Sequence, residues 1–187
     1  MGGYGAIYIC QLYPEKFNAA CALSPANISV DLIDWKYTTP IIEKLLGKKT
    51  AQNSAALAWN DILDTQDLIF SKENPLIPSI KRDSDGKIVD FSKEAFNNWE
   101  KYNLNNLIRK QPNNLKEINL LINCEEHDQL NLSQESNKLH NTLTNLGITH
   151  EFEIYTDKSA EKIDPHSLGQ AYKLLEGINF CLQHFSK

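Results

Sequence analysis

The chain has 187 residues, 41% of them apolar, and a formal net charge of −5, enough for one globular domain with a sizeable core. A mildly acidic balance with no basic run speaks against nucleic acid or an anionic membrane as the main partner. No stretch approaches the roughly 18 apolar residues of a membrane span, and no charged leader precedes an apolar segment.

Met1-Gly2-Gly3-Tyr4-Gly5-Ala6 runs directly into Ile7, Ile9, Cys10, Leu12 and Tyr13, an apolar helical pattern over 2–13. The opening reads as the second half of a nucleophile elbow, G-x-S-x-G, starting one residue after its serine; a flexible glycine-rich leader is the alternative. In an elbow, the residue after the nucleophile supplies an oxyanion-hole N–H. The next residue is glycine, because strand and helix pack too closely there for a side chain. Met1 and Gly2 fill those two places. Pro14 stops the helix, and the short apolar run 17–23, ended by Ser24-Pro25, has the pattern of a buried parallel strand.

From 27 to 116 the texture changes to polar residues, prolines and short amphipathic pieces at 40–46, 55–63 and 92–102. This predicts a cap inserted into a core made of 1–26 and 117–187. Trp35, Trp59 and Trp99 all fall in the cap, where they pack its helices or line a site for an apolar acyl group. Asp83-Ser84-Asp85-Gly86-Lys87-Ile88 has a calcium-loop look, but Lys81 and Ser92 would then occupy the first and twelfth ligand positions. A tight hairpin turn with Ile80 and Ile88-Val89 on its arms fits better.

Order returns with a strand at 118–122, then a helix carrying Leu139, Leu143 and Leu146 on one face and closed by Gly147. A strand at 150–155 follows, and Leu168, Tyr172, Leu175, Ile178, Leu182 and Phe185 stripe a final helix. Helices alternating with short apolar strands indicate an α/β architecture with a parallel sheet.

Asp128 lies just past the carboxyl end of the 118–122 strand, and His166 follows the 150–155 strand, so both belong to the sheet edge where α/β folds place their chemistry. The order nucleophile, acid, histidine is that of the α/β-hydrolases. A serine hydroxyl needs an imidazole to take its proton as it attacks a carbonyl, and the imidazole needs a carboxylate to hold one tautomer. Singly, the aspartate could be a turn former and the histidine a solvated loop residue; together, with the elbow remnant, they form a constellation. Ser24 lacks an elbow, and Cys124 reads as a buried thiol at a strand end. Cys10, Cys21, Cys124 and Cys181 are scattered like free thiols, which favours a reducing compartment such as the cytoplasm. Glu125, Glu126, His127 and Asp128 are adjacent on one loop and do not converge as metal ligands, so neither metal nor cofactor is expected.

These residues resemble the esterase family of α/β-hydrolases that includes esterase D-like and enterochelin-esterase-like enzymes and the mycolyltransferases. Met1-Gly2-Gly3-Tyr4-Gly5-Ala6 is similar to the family's post-serine G-G-x-G-A, and 17–25 is similar to its strand ending in a Leu-Ser-Pro turn. Residues 123–132 resemble its acid loop, with Asp128 as the acid; 146–152 resemble the helix end and strand that follow, and His166 matches the histidine. Glu125 stands where that loop often has glycine, and the polar tract 157–165 is longer than the family's. The resemblance implies a truncated α/β-hydrolase fold acting on a small-molecule ester through an acyl-enzyme, with Met1 at the oxyanion hole and the nucleophile just before it. A cysteine or aspartate could replace that serine.

The resemblance also implies that the strands ahead of the nucleophile are missing here. The helix at 2–13 would then expose an apolar face and the strand at 17–23 an open edge, through which the chain could oligomerise as a non-catalytic α/β module. The second oxyanion donor would be gone, and Met1 would offer an α-ammonium titrating near ~8 instead of a peptide N–H. The 187-residue chain alone is therefore expected to have no significant hydrolase activity.

Overall fold

The expected first helix forms over Gly2–Leu12 (α1) and gives way to a short turn of 3-10 helix at Pro14–Lys16, because Pro14 cannot continue the ladder. In the computed structural model the described residues are 2–27, 80–82, 88–91, 100–128, 132–158 and 165–185. Met1, the pieces at 40–46 and 55–63, most of 92–102, the hairpin tip and all three tryptophans lie outside them.

Ala19–Leu23 follows as β1, within the predicted strand. The hairpin arms are β2 (Ile80–Arg82) and β3 (Ile88–Phe91), antiparallel with Ile80 opposite Phe91. Then come α2 (Leu104–Lys110), β4 (Asn119–Glu125), α3 (Leu132–Asn145), β5 (Glu151–Tyr155) and α4 (Pro165–Gln183). Gly147 closes α3 in the left-handed conformation at φ 65, and the Ile148 N–H returns to the Leu143 carbonyl at 3.0 Å.

The chain divides into two compact units, Ile28–Asn103 on one side and Met1–Asn27 with Leu104–Lys187 on the other. Residues 104–116, which sequence reading placed in the cap, group with the second of these. Leu104, Ile108 and Leu115 are fully buried, and the Leu104 N–H donates to Asn27 Oδ1 at 2.8 Å, stitching the two ends of the insertion together.

That unit is built on a three-stranded sheet of order β1-β4-β5, parallel throughout. β4 is central and buried, as an all-parallel strand should be. α1 lies on β1, α3 lies on β4, and α2 joins α1 to α3 in one layer; α4 packs on β1 and β4 apart from that layer. Ile7, Ile108, Leu115, Ile122, Leu139 and Leu143 form the centre of the core. This is α/β architecture: a small parallel sheet with flanking helices.

Two close approaches set the packing around β1. A Cβ at Gly3 would collide with the Leu23 carbonyl, and one at Gly177 with the Cys21 sulfur. Gly177 brings α4 down on its small-residue side, so the described residues of its apolar stripe turn outward. Tyr172 is 72% and Leu175 68% exposed, and Ile178, Leu182 and Phe185 are exposed too. Period alone locates such a stripe; the bulk of the opposing residues decides which side of the helix can approach.

Candidate active site at the carboxyl edge of the sheet

Because the three strands run parallel, the turns leaving β1, β4 and β5 open at one edge, and chemistry-bearing residues gather there. β4 leads into the turn holding Asp128, and His166 stands at the start of α4. The His166 ring donates from Nδ1 to Asp128 Oδ2 at 2.7 Å, with the carboxylate side chain fully buried and the imidazole one quarter exposed. A carboxylate oxygen can only accept, which fixes the proton on Nδ1 and leaves Nε2 as the basic nitrogen. The two residues paired by sequence reasoning are thus in direct contact.

Gln170, one helical turn beyond His166, brings its Nε2 to 3.2 Å from the His166 Nε2. It is nearly as close to Nδ1, at 3.3 Å, so the amide lies against the ring between the two nitrogens and holds the imidazole in place. Nothing in the sequence singled it out, although the i,i+4 spacing on a helix is the signal that finds such a neighbour.

Glu125 gives the acid turn its shape. Its side chain is fully buried; Oε2 accepts from the His127 backbone N–H and Oε1 from the Asp157 backbone N–H at 3.2 Å. His127 Nδ1 lies 3.5 Å from Oε1. The Glu126 N–H donates to the Tyr155 carbonyl at 2.8 Å, and Glu126 Oε2 accepts from the Thr156 hydroxyl at 2.7 Å. Where the resembled family often has glycine, this chain uses a buried carboxylate to tie the Asp128 turn to the segment leaving β5. That cross-tie stands at the start of the longer polar tract leading to His166.

Cys124 meets the same carboxylate oxygen, its Sγ 3.9 Å from Asp128 Oδ2 and 3.4 Å from Ser24 Oγ. Burial pushes the Cys124 thiol up to about 12, against the lowering effect of the Ser24 hydroxyl, so it stays a thiol and fails as a nucleophile. Ser24 is buried and takes a left-handed φ of 44 just before Pro25, a strained position for a non-glycine residue. Its described hydroxyl contact is with Cys124. Burial also raises the Tyr155 phenol, helped by the charges of Glu125, Asp128 and Asp157.

Gly3 sits against Leu23 and Pro25, so the amino end of α1 opens at this same edge. A Cβ on Gly2, the expected elbow glycine, meets no atom within 4 Å. The close approach thus falls one residue later than the motif places it. Met1, the expected oxyanion donor, precedes the described residues. Among the described residues no cluster of three or more potential metal ligands occurs, and no helix is long and apolar enough to cross a membrane. No protein-family model and no curated protein matches the sequence.

Proposed function

We propose that Asp128 and His166 are the acid and the base of a serine carboxylesterase of α/β-hydrolase type, whose nucleophile precedes Met1 in a longer polypeptide. The observation that carries this reading is the 2.7 Å bond from His166 Nδ1 to the buried Asp128 carboxylate. In the reaction the serine Oγ attacks the ester carbonyl carbon while His166 Nε2 takes the hydroxyl proton. The Met1 N–H steadies the oxyanion, and Asp128 stabilises the imidazolium. The C–O bond to the alcohol then breaks, His166 returns its proton to the departing alkoxide, and an acyl-enzyme remains. Water, deprotonated by the same nitrogen, releases the acid and restores the serine. Gln170 acts as a positioning residue for the ring. Without the serine, the 187-residue chain alone hydrolyses no ester.

The test is turnover of a p-nitrophenyl ester by the polypeptide extended in frame ahead of Met1. Asp128→Asn and His166→Ala should each lower kcat/KM by about a thousandfold or more. Undiminished turnover in both variants, or a stop codon directly before Met1, overturns the proposal. On the chain as it stands, the Nδ1 proton of His166 should give a downfield NMR signal that Asp128→Asn removes.

A second reading, a non-catalytic α/β module that pairs with another chain, is favoured by one observation: among the described residues β1 has a strand neighbour on one side alone.

A further inference from the structure

We infer that Cys124 is a positioning residue for the candidate acid: its thiol proton points to Asp128 Oδ2, the oxygen that also accepts from His166, and the Ser24 hydroxyl turns it that way. This rests on the acid–base reading of Asp128 and His166. The side chains stand in a row. Ser24 Oγ is 3.4 Å from Cys124 Sγ, Cys124 Sγ is 3.9 Å from Asp128 Oδ2, and that oxygen is 2.7 Å from His166 Nδ1. Ser24 directly follows β1, Cys124 is near the end of β4, Asp128 is in the turn after it and His166 is at the start of α4.

The proton inventory fixes the direction along this row. A carboxylate only accepts, whereas a thiol has one proton to give and can accept weakly. Were the thiol proton turned to Ser24, sulfur lone pairs would face a carboxylate oxygen where both side chains are fully buried, and two opposed acceptors without water are costly. With the proton on the carboxylate side, the sulfur accepts and the Ser24 hydroxyl donates to it. Ser136, fully buried on α3, also lowers the thiol, but its hydroxyl makes no hydrogen bond, which leaves Ser24 as the donor.

The row needs a thiol that keeps its proton. Burial, the largest influence, holds Cys124 at about 12, so the donor is present throughout the neutral range. The strain at Ser24 fits the same arrangement. Its N–H bonds the Asn123 carbonyl at 2.8 Å and Pro25 follows, which holds the residue at its left-handed φ of 44. Glycine would adopt that φ freely; what serine adds there is the hydroxyl that meets Cys124. An oxygen shared by two donors bonds each less strongly than it would bond one. The thiol therefore both aims Oδ2 and limits its pull on the imidazole proton.

The test is the downfield NMR signal of the His166 Nδ1 proton on the 187-residue chain, a readout that needs no nucleophile. Cys124→Ala removes the donor, and the signal should move further downfield. Cys124→Ser leaves nearly the same gap but keeps a donor, and its signal should stay closer to the wild-type position. A packing role alone predicts that serine, a polar group in a buried place, disturbs the pair at least as much as alanine. Ser24→Ala keeps the thiol itself and should leave the signal in place, because the thiol proton already lies on the carboxylate. A signal unmoved by Cys124→Ala, moved as far by serine as by alanine, or moved upfield by Ser24→Ala overturns the inference. If Asp128→Asn fails to remove the signal, the acid–base reading itself falls. If Asp128→Asn removes it while Cys124→Ala leaves it unmoved, this inference falls alone.

Discussion

β5 and β1 terminate the same sheet in opposite ways. β5 ends it with Glu151 and Glu153 turned to solvent, and Lys173 bonds Glu153 while lying 5.0 Å from the centre of the Tyr155 ring. β1 ends it with Ala19, Ala20, Cys21, Ala22 and Leu23. Charge on an edge strand discourages further pairing, and small neutral residues with apolar flanks above and below do not. One edge is finished as a protein surface, and the other is built like the interior of a wider sheet. The acid of the candidate pair lies where the chain leaves β4, and its histidine stands on α4, which packs on both β1 and β4.

The comparison breaks most visibly at the contacts that seat the helices on β1. At Gly3 an added methyl meets the Leu23 backbone and Pro25, neither of which can yield as a flexible side chain would. Gly3→Ala should therefore cost about 3 kcal/mol, at the upper end for overpacking. Gly2→Ala, with open space around its Cβ, should stay within about 0.5 kcal/mol. Urea denaturation of the two variants measures the difference. Equal costs would mean that α1 is free to shift on β1.

On the finished side the corresponding weak point is Glu125. Glu125→Ala strips the acceptor from the backbone N–H groups of His127 and Asp157 in a fully buried place, for a loss of about 2 kcal/mol. Glu125→Gln, which keeps one acceptor oxygen, should lose less. The alanine variant should also blur the His166 Nδ1 proton signal, since the turn holding Asp128 loses its tie. A sharp signal in that variant would show that the pair is held by α4 and β4 alone.

The alternation of helices and apolar strands was legible because strand burial and helix period are written directly in residue type. The pairing of Asp128 with His166 was legible from position, since parallel strands deliver their exit turns to one edge. Three things were not. The packed side of α4 is set by Gly177 opposite Cys21, a contact between residues far apart in sequence. The role of Glu125 read as a departure from a family pattern, because nothing local shows that its carboxylate will meet the Asp157 amide from the next exit segment. The attachment of α2 to the core depends on Leu104, Ile108 and Leu115 finding α1 and α3, while their own surroundings in sequence are as polar as the insertion.

A smaller effect appears only against pH, and on the β5 side. His150 Nδ1 lies 2.8 Å from the Ile148 carbonyl and must carry the proton there, so its Nε2 accepts from His140 Nδ1 at 2.8 Å. His140 also stacks on Phe152 of β5, with ring centres 4.1 Å apart. Burial, then the neighbouring His150, lowers the His140 value below its ordinary 6.5. A depressed folded value means that the neutral ring is favoured by folding. Its contribution is therefore full above about 6.5 and is lost as pH falls through the folded value. His140→Gln should flatten stability against pH in that acidic window, and an unchanged slope would assign the acid sensitivity to other groups.

The smallest expected change tests the charged finish of β5 itself. Lys173 bonds both Glu153 and Glu176, yet both carboxylates are nearly half exposed, where screening and side-chain entropy leave little net gain. Lys173→Met should cost less than about 1 kcal/mol in stability. Its interest lies in association: with the lysine gone, Glu153 and Glu151 still repel a neighbouring strand, so β5 should stay unpaired and the assembly state should not rise. If Lys173→Met produced larger assemblies, the glutamates would be insufficient and the lysine would be the group that keeps this edge closed.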